Sequence, residues 1–183
     1  MPRRKRCEDT DDFDSPWKEA LQIFLRDFHA FFFADIHDDI DWARGYEALD
    51  KEFQQIIRRA ELGKSLADKL FKVWLLDGRE RWLLIHVEVQ GKYEAEFPER
   101  MFNYNMAAHQ LYNQTVVSLA VLCDDQPDWR PTHFEYGQWG CRTQITFRIA
   151  KLLDFTKDMD GLAKSNNPFV AVVRAHLGSV PEL

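Results

Sequence analysis

The residues best suited to chemistry in this chain alternate along one short stretch, LLIHVEVQG, residues 83–91. Its apolar residues are interleaved with His86, Glu88 and Gln90. Such alternation is typical of a half-buried β-strand, in which successive side chains point to opposite faces. A carboxylate and a carboxamide two positions apart therefore lie on the same face of the predicted strand.

A second predicted strand precedes this one and pairs with it as a hairpin. Two apolar runs, LADKLFKVWLL and RWLLIHVEVQ, are separated around Asp77-Gly78, a strong signal of a tight turn. On each run a set of apolar residues occupies the odd positions, so paired residue numbers must add to an even total if both sets face one side. The pattern favours a three-residue loop or a bulge, with pairs adding to about 156. Asp68 then lies opposite Glu88.

The even-numbered face of this hairpin would carry most of the polar residues, and the odd face would supply the core. The polar set is Asp68, Lys72, His86, Glu88 and Gln90. Two carboxylates at cross-strand distance repel each other, and a divalent cation between them would relieve that repulsion. Oxygen ligands of this kind suit Mg²⁺ or Mn²⁺. The alternative is a solvated sheet face on which Asp68 pairs with Lys69 or Lys72, and the spacing leaves both interpretations open.

Helices are predicted on both sides of the hairpin, and a further strand follows it. Apolar residues from Leu21 to Phe32 recur at helical spacing after a Ser15-Pro16 start. The pattern further predicts a loop at 35–42, a second helix at about 46–61, a third at about 97–113, a buried strand at 115–123, turn residues in WRPTHFEYGQWG, another strand in TQITFRIAKLLDF and a last helix from Asn167-Pro168. The helix between the strands at 83–91 and 115–123 suggests a crossover connection.

The composition is that of one folded domain. The chain has 183 residues, 45% of them hydrophobic and 14% aromatic, which is enough for one ordinary core. No uninterrupted apolar run approaches the roughly 20 residues that a membrane-spanning helix needs. The three cysteines form no CxxC pair, and their odd number suits a reducing compartment. We therefore expect a soluble cytoplasmic protein without membrane association.

The first fourteen residues form a separate charged segment. The basic run RRKR precedes the acidic stretch CEDTDDFD, where a secretory signal would have an apolar core. We expect residues 1–14 to be a flexible arm and residues 15–183 to be a single domain. The formal charge of −6, from 24 basic and 30 acidic residues, argues against a protein that simply coats nucleic acid. The basic arm leaves a local phosphate contact open.

An acid at the start of one strand, Glu-x-Gln on the next, and then a helix and a strand resemble the PD-(D/E)XK nuclease superfamily. More closely, LDKEFQQI, ADKLFKVWLLDG, HVEVQG, FPERMFNYN and VVSLAVLCDD are similar to the PD-(D/E)XK nuclease-family transposases, which are related to the Rpn recombination-promoting nucleases. The similarity runs from about residue 35 to about residue 155.

This resemblance implies an α/β fold with a restriction-endonuclease-like core, a mixed central sheet flanked by helices, and a metal-dependent DNA endonuclease activity. It implies that Asp68, Glu88 and the Val89 carbonyl bind Mg²⁺, or Mn²⁺ in its place. Glu52 matches an acidic residue of the first core helix, and Gln90 stands where lysine is usual. The metal would lower the pKa of a bound water, and the resulting hydroxide, oriented by Gln90, would attack phosphorus in line.

Several roles stay open at this point. An amide cannot supply the positive charge of an ammonium, so Lys72 or Lys92 could fill the gap that Gln90 leaves. Arg100 and Tyr104 share a helix face and could contact phosphate or serve capping and packing. His86 could be a general base or a satisfied sheet histidine.

The function also has alternatives. The first is a catalytically inactive nucleic-acid-binding or regulatory remnant of the same fold, which Gln90 and the acidic balance favour. The second is a protein-interaction module built on an exposed aromatic patch, which six Trp and fourteen Phe suggest. DNA is the expected partner, no membrane is expected, and a homodimer is left open.

Overall fold

The computed structural model describes residues 14–49, 51, 69–77 and 82–179. The α-helices in these segments are α1 (Asp14–Ile23), α2 (Leu25–Phe32), α3 (Ala34–Asp39), α4 (Phe97–Tyr112), α5 (Met159–Lys164) and α6 (Pro168–Ser179), with a 3-10 helix at Leu152–Asp158. The strands are β1 (Tyr46–Ala48), β2 (Lys69–Trp74), β3 (Trp82–Gln90), β4 (Val116–Leu122), β5 (His133–Gln138), β6 (Cys141–Thr146) and β7 (Arg148–Lys151). Residues 1–13 of the predicted arm lie outside this part of the chain.

Five of the strands form one mixed sheet in the order β1-β2-β3-β4-β7. β1, β2 and β3 are antiparallel neighbours, whereas β3, β4 and β7 run parallel. Parallel neighbours need a crossover, and α4 supplies it between β3 and β4. The predicted α/β class, a mixed central sheet flanked by helices, is therefore confirmed.

The predicted hairpin register is also confirmed for the described pairs. Lys69 pairs with Val87 and Phe71 with Ile85, so the paired numbers add to 156. Five odd-numbered apolar residues of the two strands lie in the main core: Phe71, Val73, Ile85, Val87 and Val89. Asp68 and residues 78–81 of the connection between the strands lie outside the described residues, so the expected loop and the pairing of Asp68 with Glu88 stay predictions.

Helices cover both faces of the sheet. The odd-numbered side packs against α1, α2 and α6 through residues such as Leu21, Phe28 and Phe169. The other side packs against α4, where Tyr104 and Ala108 meet Leu70 and Leu84. A sheet buried on both faces needs nearly continuous apolar strands, and β4 is buried from Ser118 to Leu122.

The alternative of a solvated even-numbered face is wrong on β3. His86 and Glu88 are both fully buried there, because α4 crosses over that side of the strand. The alternation of β3 therefore separates two buried environments, one apolar and one polar, rather than a core from solvent.

The helices of the N-terminal half differ from the prediction in three places. The first predicted helix is interrupted at Phe24, whose backbone (φ −118°, ψ 34°) separates α1 from α2. Part of the acidic stretch predicted as a loop is helical, as α3. Tyr46–Ala48, predicted to begin the second helix, is instead the edge strand β1. Pairing with β2, which continues with the Leu49 N–H donating to the Leu70 carbonyl at 2.7 Å, outweighs the local helical pattern.

The segment WRPTHFEYGQWG, in which turn residues are predicted, also contains β5, which forms a separate hairpin with β6. Its two turn residues, Trp139 and Gly140, have φ of +53° and +85°, as a two-residue hairpin turn requires. The Trp139 side chain is 93% exposed. The hairpin packs on α4 where Phe134 and Tyr136 contact Phe102.

Within the described segments, no helix combines the length and the apolar character that crossing a bilayer would require.

Candidate functional site

Glu88 and Gln90 lie on the central strand of the five-stranded sheet, beneath the first turn of α4. Both side chains are buried, Glu88 with 0% of its side chain exposed. Because their neighbours on β4 are Ala120 and Leu122, these two groups are polar insertions into an otherwise apolar layer. Buried polar groups need partners, and a buried carboxylate needs a cation or several donors.

Arg100, in the first turn of α4, supplies the positive charge. Its Nε and Nη2 donate to Glu88 Oε1 at 2.9 and 2.6 Å, and Nη2 also donates to Gln90 Oε1 at 2.8 Å. Its Nη1 donates to Glu94 Oε1 at 2.5 Å. Burial disfavours the guanidinium charge, but the adjacent Glu88 and Glu94 carboxylates raise the pKa of Arg100 above its ordinary value. Arg100 is therefore a fixed cation joining β3, α4 and the segment between them.

The Gln90 carboxamide is held at both ends. Its Oε1 accepts from Arg100, while its Nε2 donates to the Lys92 carbonyl at 2.6 Å and to Glu94 Oε2 at 3.1 Å. Glu94 thus receives one hydrogen bond on each oxygen, and the bond from Arg100 holds the pKa of Glu94 below its ordinary value against the opposing effect of burial. An amide can accept from the guanidinium and donate to the carboxylate at once, which an ammonium could not do.

A second polar group extends along β3 from this network. His86 Nδ1 lies 3.4 Å from Ser118 Oγ, and the same hydroxyl accepts from Asn105 Nδ2 at 3.0 Å. The Tyr104 ring packs edge-on against His86, with centroids 5.5 Å apart. Burial lowers the pKa of His86 to about 4, with Glu88 opposing the shift and Arg100 adding to it. His86 is fully buried and packs against the Tyr104 ring, which favours the packed sheet histidine over a general base, and the buried Tyr104 favours packing over a phosphate contact.

Of the proposed metal ligands, Glu88 and Val89 are described. The Gln90 carbonyl accepts from the Cys123 N–H on the β4 side at 2.8 Å. Because successive carbonyls of a strand point to opposite edges, the Val89 carbonyl points toward β2. Asp68 and Glu52 lie outside the described residues. Within the described residues, no three or more His, Cys, Asp or Glu side chains are grouped so that they could hold a metal ion.

Neither of the two lysines considered as substitutes for the missing ammonium has a side-chain contact with Gln90 in the described part of the chain. Lys72 Nζ lies 3.3 Å from Glu47 Oε1 and 4.7 Å from the centroid of the Trp74 ring. Lys92 has an exposed side chain and contributes its backbone carbonyl. The positive charge beside Gln90 comes from Arg100 instead.

The structure also reveals a buried ion pair that the sequence pattern does not indicate. Lys151, at the end of β7, places its Nζ 2.6 Å from both carboxylate oxygens of Asp124, which follows β4. Both side chains are 0% exposed. The Trp129 carbonyl also accepts from Lys151 at 3.3 Å, and Asp124 Oδ1 accepts from the Gln126 N–H at 2.9 Å. These contacts use the bonding capacity of the ammonium, which indicates a structural role.

Glu94 also belongs to the hydrogen-bonded network around Arg100, and the sequence pattern does not reveal it. The connection in which it lies has no hydrophobic periodicity. The network itself combines two predicted site residues, Glu88 and Gln90, with Arg100, for which two roles were left open. Comparisons of the chain with protein-family models, with curated proteins and with solved structures found no match to any of them. The function is therefore argued from this geometry.

Proposed function

We propose that the protein is a Mg²⁺-dependent DNA endonuclease with a restriction-endonuclease-like core. The observation that carries the proposal is the buried charged network of Glu88, Gln90 and Arg100 on the central strand of a mixed sheet. Apolar residues would fill that layer at lower desolvation cost. The Glu88 carboxylate and the neighbouring Val89 carbonyl are groups that could bind a metal ion, and Arg100 is a cation that could bind a phosphate.

The proposed metal ligands are Glu88, the Val89 carbonyl and Asp68. If the register in which paired numbers add to 156 continued by one position, Asp68 would lie opposite Glu88, as the sequence pattern predicts. Carboxylate and carbonyl oxygens are the donors that Mg²⁺ and Mn²⁺ prefer, and the direction of the Val89 carbonyl toward β2 fits a site between the two strands. A metal bound there would lower the pKa of a water and stabilise charge on a phosphate oxygen.

The other residues of the network have roles that follow from their contacts. Arg100 orients the Glu88 carboxylate and supplies the positive charge that Gln90 lacks. The Gln90 carbonyl oxygen holds the guanidinium of Arg100, and its amide nitrogen holds Lys92 and Glu94 in the segment after β3. Glu52 is proposed as an additional acid of the site, by resemblance alone.

A plasmid-nicking assay tests this proposal. Wild-type protein should convert supercoiled plasmid to open circle with Mg²⁺ or Mn²⁺ and not with EDTA. Glu88→Gln and Asp68→Asn, which remove one charge each with little change in shape, should lower the rate by about 100-fold or more. Glu135→Gln, on the exposed β5 strand, is the matched control and should nick like wild type.

Circular dichroism and urea unfolding should show that each variant is folded at the assay temperature. Equal nicking by wild type and by folded Glu88→Gln would refute the endonuclease proposal. So would nicking by wild type that persists unchanged in EDTA.

The second candidate is a catalytically inactive nucleic-acid-binding or regulatory protein of the same fold. The observation that favours it is Gln90, whose amide is fully engaged with Arg100, Lys92 and Glu94. A mobility shift of duplex DNA without any cleavage product in Mn²⁺ would select this candidate.

A further inference from the structure

The partners of Arg100 divide into an inner and an outer set. Glu88 and Gln90 belong to the central strand, and the Glu88 side chain is 0% exposed. Glu94 lies toward solvent, with 36% of its side chain exposed, and Arg100 between them is 13% exposed. A guanidinium has five N–H donors. Four are used by these partners, three on the inner side by Nε and Nη2 and one on the outer side by Nη1.

The inner and outer partners differ in how firmly the backbone holds them. Glu88 is fixed by ladders to β2 and β4. Glu94 lies in the segment at 91–96, which connects β3 to α4 without regular structure and exposes Gly91, Lys92 and Tyr93. A connection of this kind moves at far lower cost than a central strand. Glu94 is therefore the partner that Arg100 can exchange.

The exchange has a chemical candidate. Carboxylate and phosphate oxygens are both anionic acceptors that bind a guanidinium edge with short, charge-assisted hydrogen bonds. We propose that Glu94 occupies the position on the outer edge of Arg100 that a DNA phosphodiester takes when it binds, so that Glu94 keeps the site closed to phosphate until it is displaced. This inference rests on the proposed function, because that function supplies DNA as the ligand.

The charges indicate that a phosphate would displace Glu94 from Arg100 and would not bind beside it. Glu88, Glu94 and Arg100 together carry a net charge of −1, which repels a phosphate. When Glu94 swings away, Arg100 and Glu88 are left as a neutral pair with an accessible Nη1 edge. Gln90 Nε2 then loses its hydrogen bond to Glu94 and keeps the one to the Lys92 carbonyl. The hydrogen bonds between Glu88 and Arg100 do not involve Glu94.

Fluorescence anisotropy with a labelled 20-base-pair duplex in EDTA tests the inference without any need for cleavage. Glu94→Gln should bind the duplex about fivefold to tenfold more tightly than wild type, since the competing carboxylate is gone. Glu94→Ser should act in the same direction, which covers the case that one variant is less stable. Glu135→Gln removes the same charge from an exposed ion pair with Arg142 and should change the affinity less than twofold.

A double variant shows whether the gain passes through Arg100. Arg100→Lys in the Glu94→Gln background should lose most of the gain, because an ammonium cannot hold Glu88 and a phosphate along a planar fork. An equal gain in Glu94→Gln and Glu135→Gln would show a general charge effect and overturn the inference. A gain that survives Arg100→Lys would overturn it as well.

The outcomes separate this inference from the endonuclease proposal. Metal-dependent nicking without a Glu94 effect on binding retains the endonuclease and rejects the displacement. Tighter binding by Glu94→Gln without nicking by any form retains the displacement and selects the noncatalytic candidate.

Discussion

Replacing Lys151 by methionine should cause a large loss of stability, since it leaves the Asp124 carboxylate buried without its cation. Both side chains are 0% exposed, and the ammonium lies 2.6 Å from each carboxylate oxygen. After the substitution Asp124 retains one hydrogen bond, from the Gln126 N–H. Breaking a buried pair on one side costs about 3–5 kcal/mol.

The expected change is measurable by urea unfolding. With a slope of about 2 kcal/mol per molar urea for a domain of this size, the midpoint of Lys151→Met should fall by about 1.5–2.5 M. Domains have total stabilities of about 5–15 kcal/mol, so this loss removes a large fraction of the free energy of unfolding. Adding Asp124→Asn removes the unpaired charge and keeps an oxygen for the Gln126 N–H, and the double variant should recover about 2 kcal/mol or more.

The exposed ion pair of Arg130 and Asp154 is the matched control. Its two hydrogen bonds, of 2.9 and 2.6 Å, are close in length to the two 2.6 Å bonds of the buried pair, but both side chains are about half exposed. Arg130→Met should therefore cost less than about 1 kcal/mol. The reasoning fails if Lys151→Met costs no more than Arg130→Met, or if the double variant is no more stable than Lys151→Met.

Three further predictions concern pH and the β5-β6 hairpin. Burial lowers the pKa of His29 from 6.5 to about 4. Between these pH values the imidazole is protonated in the unfolded chain and neutral in the folded one. The free energy of unfolding is therefore highest above pH 6.5 and falls as the pH drops toward 4. Urea unfolding should show that His29→Leu loses about 2 kcal/mol less than wild type between pH 7 and pH 5, and equal losses would contradict this origin. Trp139→Asn should raise the thermal midpoint by a few degrees, since asparagine tolerates the φ of +53° better by about 1 kcal/mol; a lower midpoint would contradict it. Gly137→Ala should lower the free energy of opening of the hairpin, measured by amide hydrogen exchange, by about 1–3 kcal/mol, because a Cβ there would lie 2.2 Å from the Cys141 carbonyl oxygen. Unchanged protection of the hairpin amides would contradict the clash.

The sheet was predictable where a side chain's direction depends on position alone. The two-residue period fixed the register of β2 against β3, and one slip would have moved Phe71 and Ile85 out of the core. The same period cannot tell what covers each face. Whether the side of Glu88 meets water or a helix depends on where α4 crosses the sheet, and no pattern within β3 contains that information.

Local patterns failed where a distant partner determined the structure. Tyr46–Ala48 has helical spacing with the residues that follow, yet it pairs with β2, whose residues come more than twenty positions later. Trp139 is an unusual residue for a turn of positive φ, which hid the β5-β6 hairpin. The connection that carries Glu94 has no period, so its contact with Arg100 follows from the β3 and α4 geometry and from no sequence rule.

The two charged networks of the α4 side show how burial distinguishes a structural from a functional role. The ammonium of Lys151 is sealed, since it meets Asp124 and the Trp129 carbonyl with no exposure. Arg100 is partly exposed and contacts Glu94, which lies in a connection without regular structure and is itself 36% exposed. A cation that only holds the fold together can be completely enclosed with its partners, whereas a cation that meets a ligand must keep one donor edge near solvent. That difference is the physical reason to look for ligand binding at Arg100 and not at Lys151.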